Sequence, residues 1–162
     1  MRVLDTNIEG IYIKYRDRVF AVGFNYFRNS MDADDVVQET FLKLLRSNKD
    51  FESEEHLRNW IMKVAVNECK RVTLSSWFKR RESLEEYADK LVFEEVGDRD
   101  LFDKVMRLPK NYRQVTHLFY YEGYSVKEIA GILGIRETTV TTRLSRARKK
   151  LKDQLKGEWE DE

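Results

Sequence analysis

Ser125-Val126-Lys127-Glu128-Ile129-Ala130-Gly131-Ile132-Leu133-Gly134-Ile135-Arg136-Glu137-Thr138-Thr139-Val140 is the stretch that decides the fold. Ser125 and Glu128 have the spacing of a capping box, Ser-x-x-Glu, which satisfies orphan amides at a helix start. Ile129 and Leu133 then share one helical face. Ala130 is small, as a close helix crossing requires. Gly134 can end the helix in the left-handed conformation, and Ile135 is expected to plug the turn into the core. A second helix is predicted from near Glu137, with Val140, Leu144, Ala147 and Leu151 inward at spacings of four, three and four. Two short helices joined by such a turn form the pattern of a DNA-binding helix-turn-helix.

The second helix is also the basic one. Arg136, Arg143, Arg146, Arg148, Lys149, Lys150 and Lys152 stand against a single acid, Glu137, between 136 and 152. A solvated basic face is common in itself. Here it coincides with the expected recognition helix and with Thr138, Thr139, Thr141, Thr142 and Ser145. Short hydroxyl side chains can approach base edges, and arginine pairs bidentately with guanine. Upstream, Leu101, Phe102, Val105, Met106 and Leu108 form an apolar stripe before Pro109. Tyr112, Val115, Leu118, Phe119 and Tyr120 form another, ending at Gly123, and both read as core.

Working outward, the whole chain has 162 residues, 41% hydrophobic and 36% charged, with a net charge of only +1. That total conceals a partition. Residues 1–78 carry 12 basic and 12 acidic side chains, and residues 79–100 carry 5 and 8. Residues 101–157 carry 13 basic against 5 acidic, and residues 158–162 carry four acids. A near-neutral front, an acidic connector, a basic back end and an acidic tip imply at least two functional pieces. The expected boundaries are a domain over 1–78, a linker over 79–100, a helix-turn-helix domain over 101–157 and a tail over 158–162.

Other features exclude function classes. Cys69 is the only cysteine, so an internal disulfide and a cysteine-based zinc site are excluded. His56 and His117 are far apart and belong to no ligand motif, so no metal, no cofactor and no catalytic site are expected. No apolar run approaches the ~18 residues of a membrane span, and the first residues lack a signal-peptide core. The expectation is a soluble cytoplasmic protein with no membrane insertion of its own. With one proline and 7 glycines among many Leu, Glu, Lys and Arg, the fold class expected is all-α.

The front half reads as three helices. Ile8, Ile11, Tyr12, Tyr15, Val19, Val22 and Tyr26 recur at intervals of three and four. Asp32 is the expected N-cap of the next helix, which runs from Ala33 to about Ser47. Its inward residues are Val36, Val37, Thr40, Phe41, Leu44 and Leu45, and its outer face carries Asp34, Asp35, Gln38, Glu39 and Lys43. Placed in a first turn, Asp34 and Asp35 would be favoured by the helix dipole alone. A third helix is predicted from about Glu54 into the low seventies, with Leu57, Trp60, Ile61, Val64 and Ala65 on its apolar face.

At this point the chain resembles the sigma-70 class of bacterial RNA polymerase sigma factors, in the short extracytoplasmic-function (ECF) group. Asp32-Ala33-Asp34-Asp35-Val36-Val37-Gln38-Glu39-Thr40-Phe41 and Trp60-Ile61-Met62-Lys63-Val64-Ala65-Val66-Asn67 are similar to the family's region 2. Leu108-Pro109-x-x-Tyr112-Arg113 and Tyr121-x-Gly123-Tyr124-Ser125 through Arg148 are similar to region 4. The resemblance covers nearly the whole chain.

It implies a two-domain helical fold and no catalytic activity of the chain's own. It also implies docking on core RNA polymerase, on its beta-prime clamp and beta subunits, through Asp34, Asp35, Gln38, Glu39 and Phe41. Minus-10 promoter DNA would be recognised and melted by the loop from Asn48 to His56, with Asp50, Phe51 and His56. The following helix would add Trp60, Lys63, Asn67, Lys70 and Arg71. Asn67 draws attention as an amide beside the buried stripe. Minus-35 DNA would be read by Thr141, Thr142, Ser145 and Arg146, with Arg136, Thr138, Arg143 and Lys149 on phosphates. The family commonly has an Asp and then an unbroken Arg run after this Asn. Here Arg71 lies near that position and Lys79-Arg80-Arg81 follow Trp77-Phe78, so the residues holding upstream phosphates stay open. The resemblance further implies an anti-sigma factor as partner. A stand-alone helix-turn-helix regulator and a small helical enzyme or interaction module are the rival readings.

Overall fold

The computed structural model describes residues 7–73 and 99–160, with side chains described for 7–73 and 101–155. Every regular element among the described residues is helical. The chain divides into two compact units, Met1–Glu86 and Tyr87–Glu162. The Trp77-Phe78 pair, the Lys79-Arg80-Arg81 cluster and most of the acidic connector lie outside the described residues, as do Asp161 and Glu162.

In the first unit, α1 (Ile8–Phe27), α2 (Ser30–Arg46) and α3 (Glu54–Thr73) pack in all three pairings. The predicted stripe of α1 is internal at Ile11, Tyr15, Val19, Val22 and Tyr26. Tyr12, at its edge, is exposed. Gly23 permits a close crossing of α1 and α2. A Cβ there would lie 3.0 Å from the Cα of Ala33, closer than packed side chains tolerate.

The start of α2 differs from expectation. Asn29, not Asp32, is the N-cap. The Asn29 Oδ1 accepts from the Asp32 amide at 2.8 Å, and the Asn29 Nδ2 donates to the Asp32 carboxylate at 2.6 Å. Asp32 thus sits buried in the first turn, where a carboxylate suits the helix dipole. Asp34 and Asp35 fall beyond that turn, where the dipole no longer accounts for them. Leu45, expected inward, is exposed. Thr40 and Phe41 are internal as predicted.

In the second unit, α4 (Arg99–Met106) takes in Arg99 and Asp100, which the charge partition placed in the connector. Next come α5 (Lys110–Thr116), a π-helical turn (His117–Tyr121), α6 (Val126–Leu133) and α7 (Glu137–Glu160). The capping box at Ser125 and Glu128 is formed in both directions, and Gly134 has φ +68°. The Gly134 and Ile135 amides both donate to the Ala130 carbonyl, at 2.9 and 3.1 Å, which closes the turn. Ile135 is only half-buried. Val140, Leu144 and Ala147 are buried, so α7 is held by its predicted stripe. The core beneath it combines Val105, Leu108 and Ala147 with the half-buried Tyr112 and Leu151.

Two expected core residues are outside. Leu101 is exposed on α4, and Tyr120 is 55% exposed. The wide turn explains Tyr120. An extra residue in one turn rotates the next side chains by about 100°, so Leu118 stays inside while Tyr120 and Tyr121 swing out.

Arg113 is buried beneath this layer and donates through Nη1 to the carbonyls of Leu108 (3.1 Å) and Met106 (3.4 Å). It satisfies acceptors at the end of α4 that Pro109, lacking an N–H, cannot serve. The Leu108-Pro109-x-x-Tyr112-Arg113 pattern therefore has a structural reason.

Candidate nucleic-acid interface

α7 presents its polar side opposite the buried stripe. Thr138, Thr141, Thr142, Ser145, Arg146 and Lys149 are exposed and Arg143 is half-buried. Arg136 is exposed in the turn before α7, and its carbonyl accepts from the Val140 amide at 3.1 Å. All eight residues expected at a minus-35 element thus ride on one helix and the turn that launches it. The Thr141 hydroxyl donates to the Glu137 carbonyl at 3.1 Å, and that of Thr142 to the Thr138 carbonyl at 2.9 Å. With the proton committed to the helix, each offers a methyl group and acceptor lone pairs. That suits the thymine methyl or the amino groups of adenine and cytosine better than phosphate.

The cations of α7 are not equivalent. The Arg148 Nε donates to the Tyr120 hydroxyl at 2.6 Å, and its guanidinium lies 5.6 Å from the ring centres of Phe119 and Tyr120. Arg148 is therefore engaged within the unit. Among the described residues, Arg143, Arg146, Lys149 and Lys150 have no carboxylate within ion-pair distance. These basic residues also stand before the last turn of α7, so the helix dipole gives them no local reason.

In the first unit, Asp34, Asp35 and Gln38 are exposed on the outer side of α2 and Glu39 is half-buried. Phe41, expected to edge this surface, is instead 7% exposed. It meets the Tyr12 ring edge-on at 5.0 Å between centroids and supports that exposed tyrosine from below.

The loop before α3 also corrects an expectation. Phe51 is 0% exposed, with His56 and Trp60 edge-on at 5.3 and 5.6 Å. The Phe51 ring thus anchors the loop, and a base would reach it only by opening the core. Asp50 is exposed, and His56 and Trp60 are half-buried. The His56 Nδ1 accepts from the Glu52 amide at 3.1 Å, which fixes the turn.

On α3, Lys63, Asn67, Lys70 and Arg71 are all exposed. Asn67, expected beside the buried stripe, thus presents its amide to solvent. Its neighbour Glu68 is the internal polar residue, 1% exposed. One carboxylate oxygen of Glu68 is met by Lys43 of α2, and the other accepts from the Arg71 Nε at 3.0 Å. Burial pushes the Glu68 pKa up, but these two cations outweigh burial and hold it below the ordinary value. Sequence reasoning missed this group. Its signals were an acid three residues before Arg71 and directly before the buried Cys69.

Among the described residues, no group of three or more His, Cys, Asp and Glu is gathered as metal ligands, and no helix is long and apolar enough to cross a membrane. His117 is half-buried, and burial lowers its pKa below the ordinary value.

Residues 11–82 match the family profile described as Sigma-70 region 2, and residues 99–151 match that described as Sigma-70, region 4. The chain is 28% identical over 151 residues to "RNA polymerase sigma factor SigV" of Bacillus subtilis, an alignment covering 89% of this chain and 88% of that protein. Its fold is similar to the sigma factor RpoE in complex with the anti-sigma factor NepR from Bartonella quintana. That match has a TM-score of 0.68 and 22% identity, over 91% of this chain and 96% of that one. It is also similar to CnrH in complex with the cytosolic domain of CnrY, at a TM-score of 0.64 and 21% identity, over 93% and 88% of the two chains. The two regions fall in order on the two helical units, and the chain belongs to the sigma-70 family as an RNA polymerase sigma factor of the extracytoplasmic-function group, a non-enzymatic family that acts in promoter recognition.

Proposed function

We propose a division of labour over the two units. The outer side of α2, with Asp34, Asp35, Gln38 and Glu39, docks on core RNA polymerase. Asp50, His56 and Trp60, with Lys63, Asn67 and Lys70 of α3, engage and open the minus-10 element, while Arg71 stays committed to Glu68. Arg136, Thr138, Thr141, Thr142, Arg143, Ser145, Arg146 and Lys149 read the minus-35 element. The single observation that carries this reading is that Arg143, Arg146, Lys149 and Lys150 of α7 have no carboxylate partner among the described residues, opposite the buried stripe of Val140, Leu144 and Ala147. Exposed cations on one helix with no carboxylate partner among the described residues fit a polyanion.

The polymerase contact rests on a second point. Asp34 and Asp35 lie past the first turn of α2, so local electrostatics does not require them. An acidic, amide-bearing surface complements a basic partner. An anti-sigma factor is proposed as a further partner, since the two similar structures contain NepR and CnrY. The site of action is the cytoplasm, where core polymerase and the chromosome meet.

Run-off transcription on a genomic fragment library tests the reading. Added core enzyme and full-length protein are expected to start transcripts at discrete promoters. Reversal of Asp35 and Glu39 to lysine should abolish co-purification with core enzyme and leave duplex binding intact. Absence of promoter-dependent initiation, with tight operator binding retained, would favour a stand-alone regulator.

A further inference from the structure

An open groove of about 580 Å³ lies between the beginning of α5 and one side of α7. Asn111 and Tyr112 form one wall, and Thr142, Arg143, Arg146 and Lys150 the other. Arg143, Arg146 and Lys150 are spaced by three and four residues, so they form a single stripe along α7. Among the described residues, no acidic side chain lines the groove. Three cations have thus been brought together with no anion among the described residues to balance them, an arrangement that repels itself unless an anion enters.

The lining specifies the anion further. An ammonium, two guanidinium groups, a side-chain amide and a phenol are all donors suited to phosphate oxygens. The Thr142 hydroxyl has its proton on the Thr138 carbonyl, so at this edge the donor-rich wall gives way to an acceptor. The groove therefore borders the base-facing strip of α7 instead of continuing it. A helix lying in a major groove about 12 Å wide has a sugar–phosphate strand along each flank. The α5 flank of α7 is where this groove opens.

We propose that the groove seats a backbone phosphate of the duplex that α7 enters. Lys150 and Asn111 are then DNA contacts beyond the eight residues of the minus-35 set, and Arg146 serves the backbone rather than a base. This rests on the reading of α7 as the duplex-binding helix and adds α5 to the interface. A phosphate contact positions the protein and is indifferent to base sequence.

The test uses the full-length chain and a random 30-base-pair duplex, with anisotropy measured over a range of salt. Asn111→Asp is informative because a carboxylate in the first turn of α5 favours the helix yet repels phosphate. It is expected to weaken duplex binding about tenfold at low salt while the melting temperature holds or rises. Lys150→Gln should reduce the slope of log K against log salt by about 0.9, the loss of one phosphate. Lys152→Gln removes the same charge outside the groove and should change the slope much less. Wild-type binding by Asn111→Asp and Lys150→Gln overturns the groove, and so does an equal slope change from Lys152→Gln. If the unaltered chain itself shows no salt-dependent duplex binding, the reading of α7 falls as well.

Discussion

The two units show two different uses of a cation. In the first, Lys14 lies 3.3 Å from Glu54, and Lys43 and Arg71 converge on Glu68. These charges tie α1 and α2 to α3. In the second, apolar packing of Val140, Leu144 and Ala147 holds α7, and Arg143, Arg146, Lys149 and Lys150 have no carboxylate partner among the described residues. Other cations of the second unit are engaged within it, among them Arg113 and Arg148, which bind carbonyls and aromatic rings. A cation that already neutralises an internal carboxylate has little left to offer a phosphate. The difference separates residues that build the fold from residues available to nucleic acid, although all of them are simply "basic" in the sequence.

The comparison is broken most directly at its strongest point. Replacing both Arg143 and Arg146 by alanine should lower duplex affinity about a hundredfold at low salt, with unchanged thermal stability. Arg71→Ala, which removes a cation already paired with Glu68, should lower it much less. Equal losses, measured by anisotropy on the same duplex, would show that pairing does not govern availability.

A second effect is on stability. Glu68→Gln keeps the shape of the side chain but removes the charge that Lys43 and Arg71 share, at a cost of about 2 kcal/mol in urea unfolding. The pH dependence has a definite sign. The folded pKa of Glu68 lies below its ordinary value of 4.5. Its contribution is complete above that value and is lost as pH falls through the lower folded one. In the second unit, burial holds His117 below its ordinary 6.5. The unfolded chain takes up that proton first, so stability falls as pH drops below 6.5. Acidification should therefore weaken the second unit before the first. Glu68→Gln should flatten the acid limb of the first unit, and His117→Phe that of the second.

The same contrast shows what was legible in the sequence. The helix-turn-helix was read closely because its signals are local. The Ser125 to Glu128 box and Gly134 sit where hydrogen bonds and backbone angles require them. The buried stripe of α7 was legible from periodicity alone. The failures lie where tertiary contacts decide between neighbours. Asn29 and Asp32 are both capable caps, and only the packing of Asp32 inside the unit settles which one is used. Asn67 and Glu68 differ by about 100° around a helix, enough to exchange exposed for buried. Phe51 is in a loop with no period, so nothing marks it as an anchor. The turn at His117–Tyr121 breaks the helical period itself and turns Tyr120 toward Arg148.

The smallest expected effect tests whether the ion pairs of the first unit matter singly or only when buried. Glu54 receives two hydrogen bonds, one from the buried Tyr15 hydroxyl at 2.8 Å and one from Lys14 at 3.3 Å. The Tyr15 bond is the main cause holding the Glu54 pKa below its ordinary value, and Lys14 adds to it. Burial, with the Glu54 carboxylate beside it, pushes the Tyr15 pKa up to about 12, so the phenol remains a proton donor throughout the neutral range. Lys14 and Glu54 are both more than half exposed, and water screens their attraction. Tyr15→Phe should therefore cost about 1 kcal/mol in urea unfolding, because an internal donor to a carboxylate is removed. Lys14→Gln should cost about 0.5 kcal/mol or less. A larger loss for Lys14→Gln than for Tyr15→Phe would mean that exposed charge, rather than the internal hydrogen bond, fastens α1 to the start of α3.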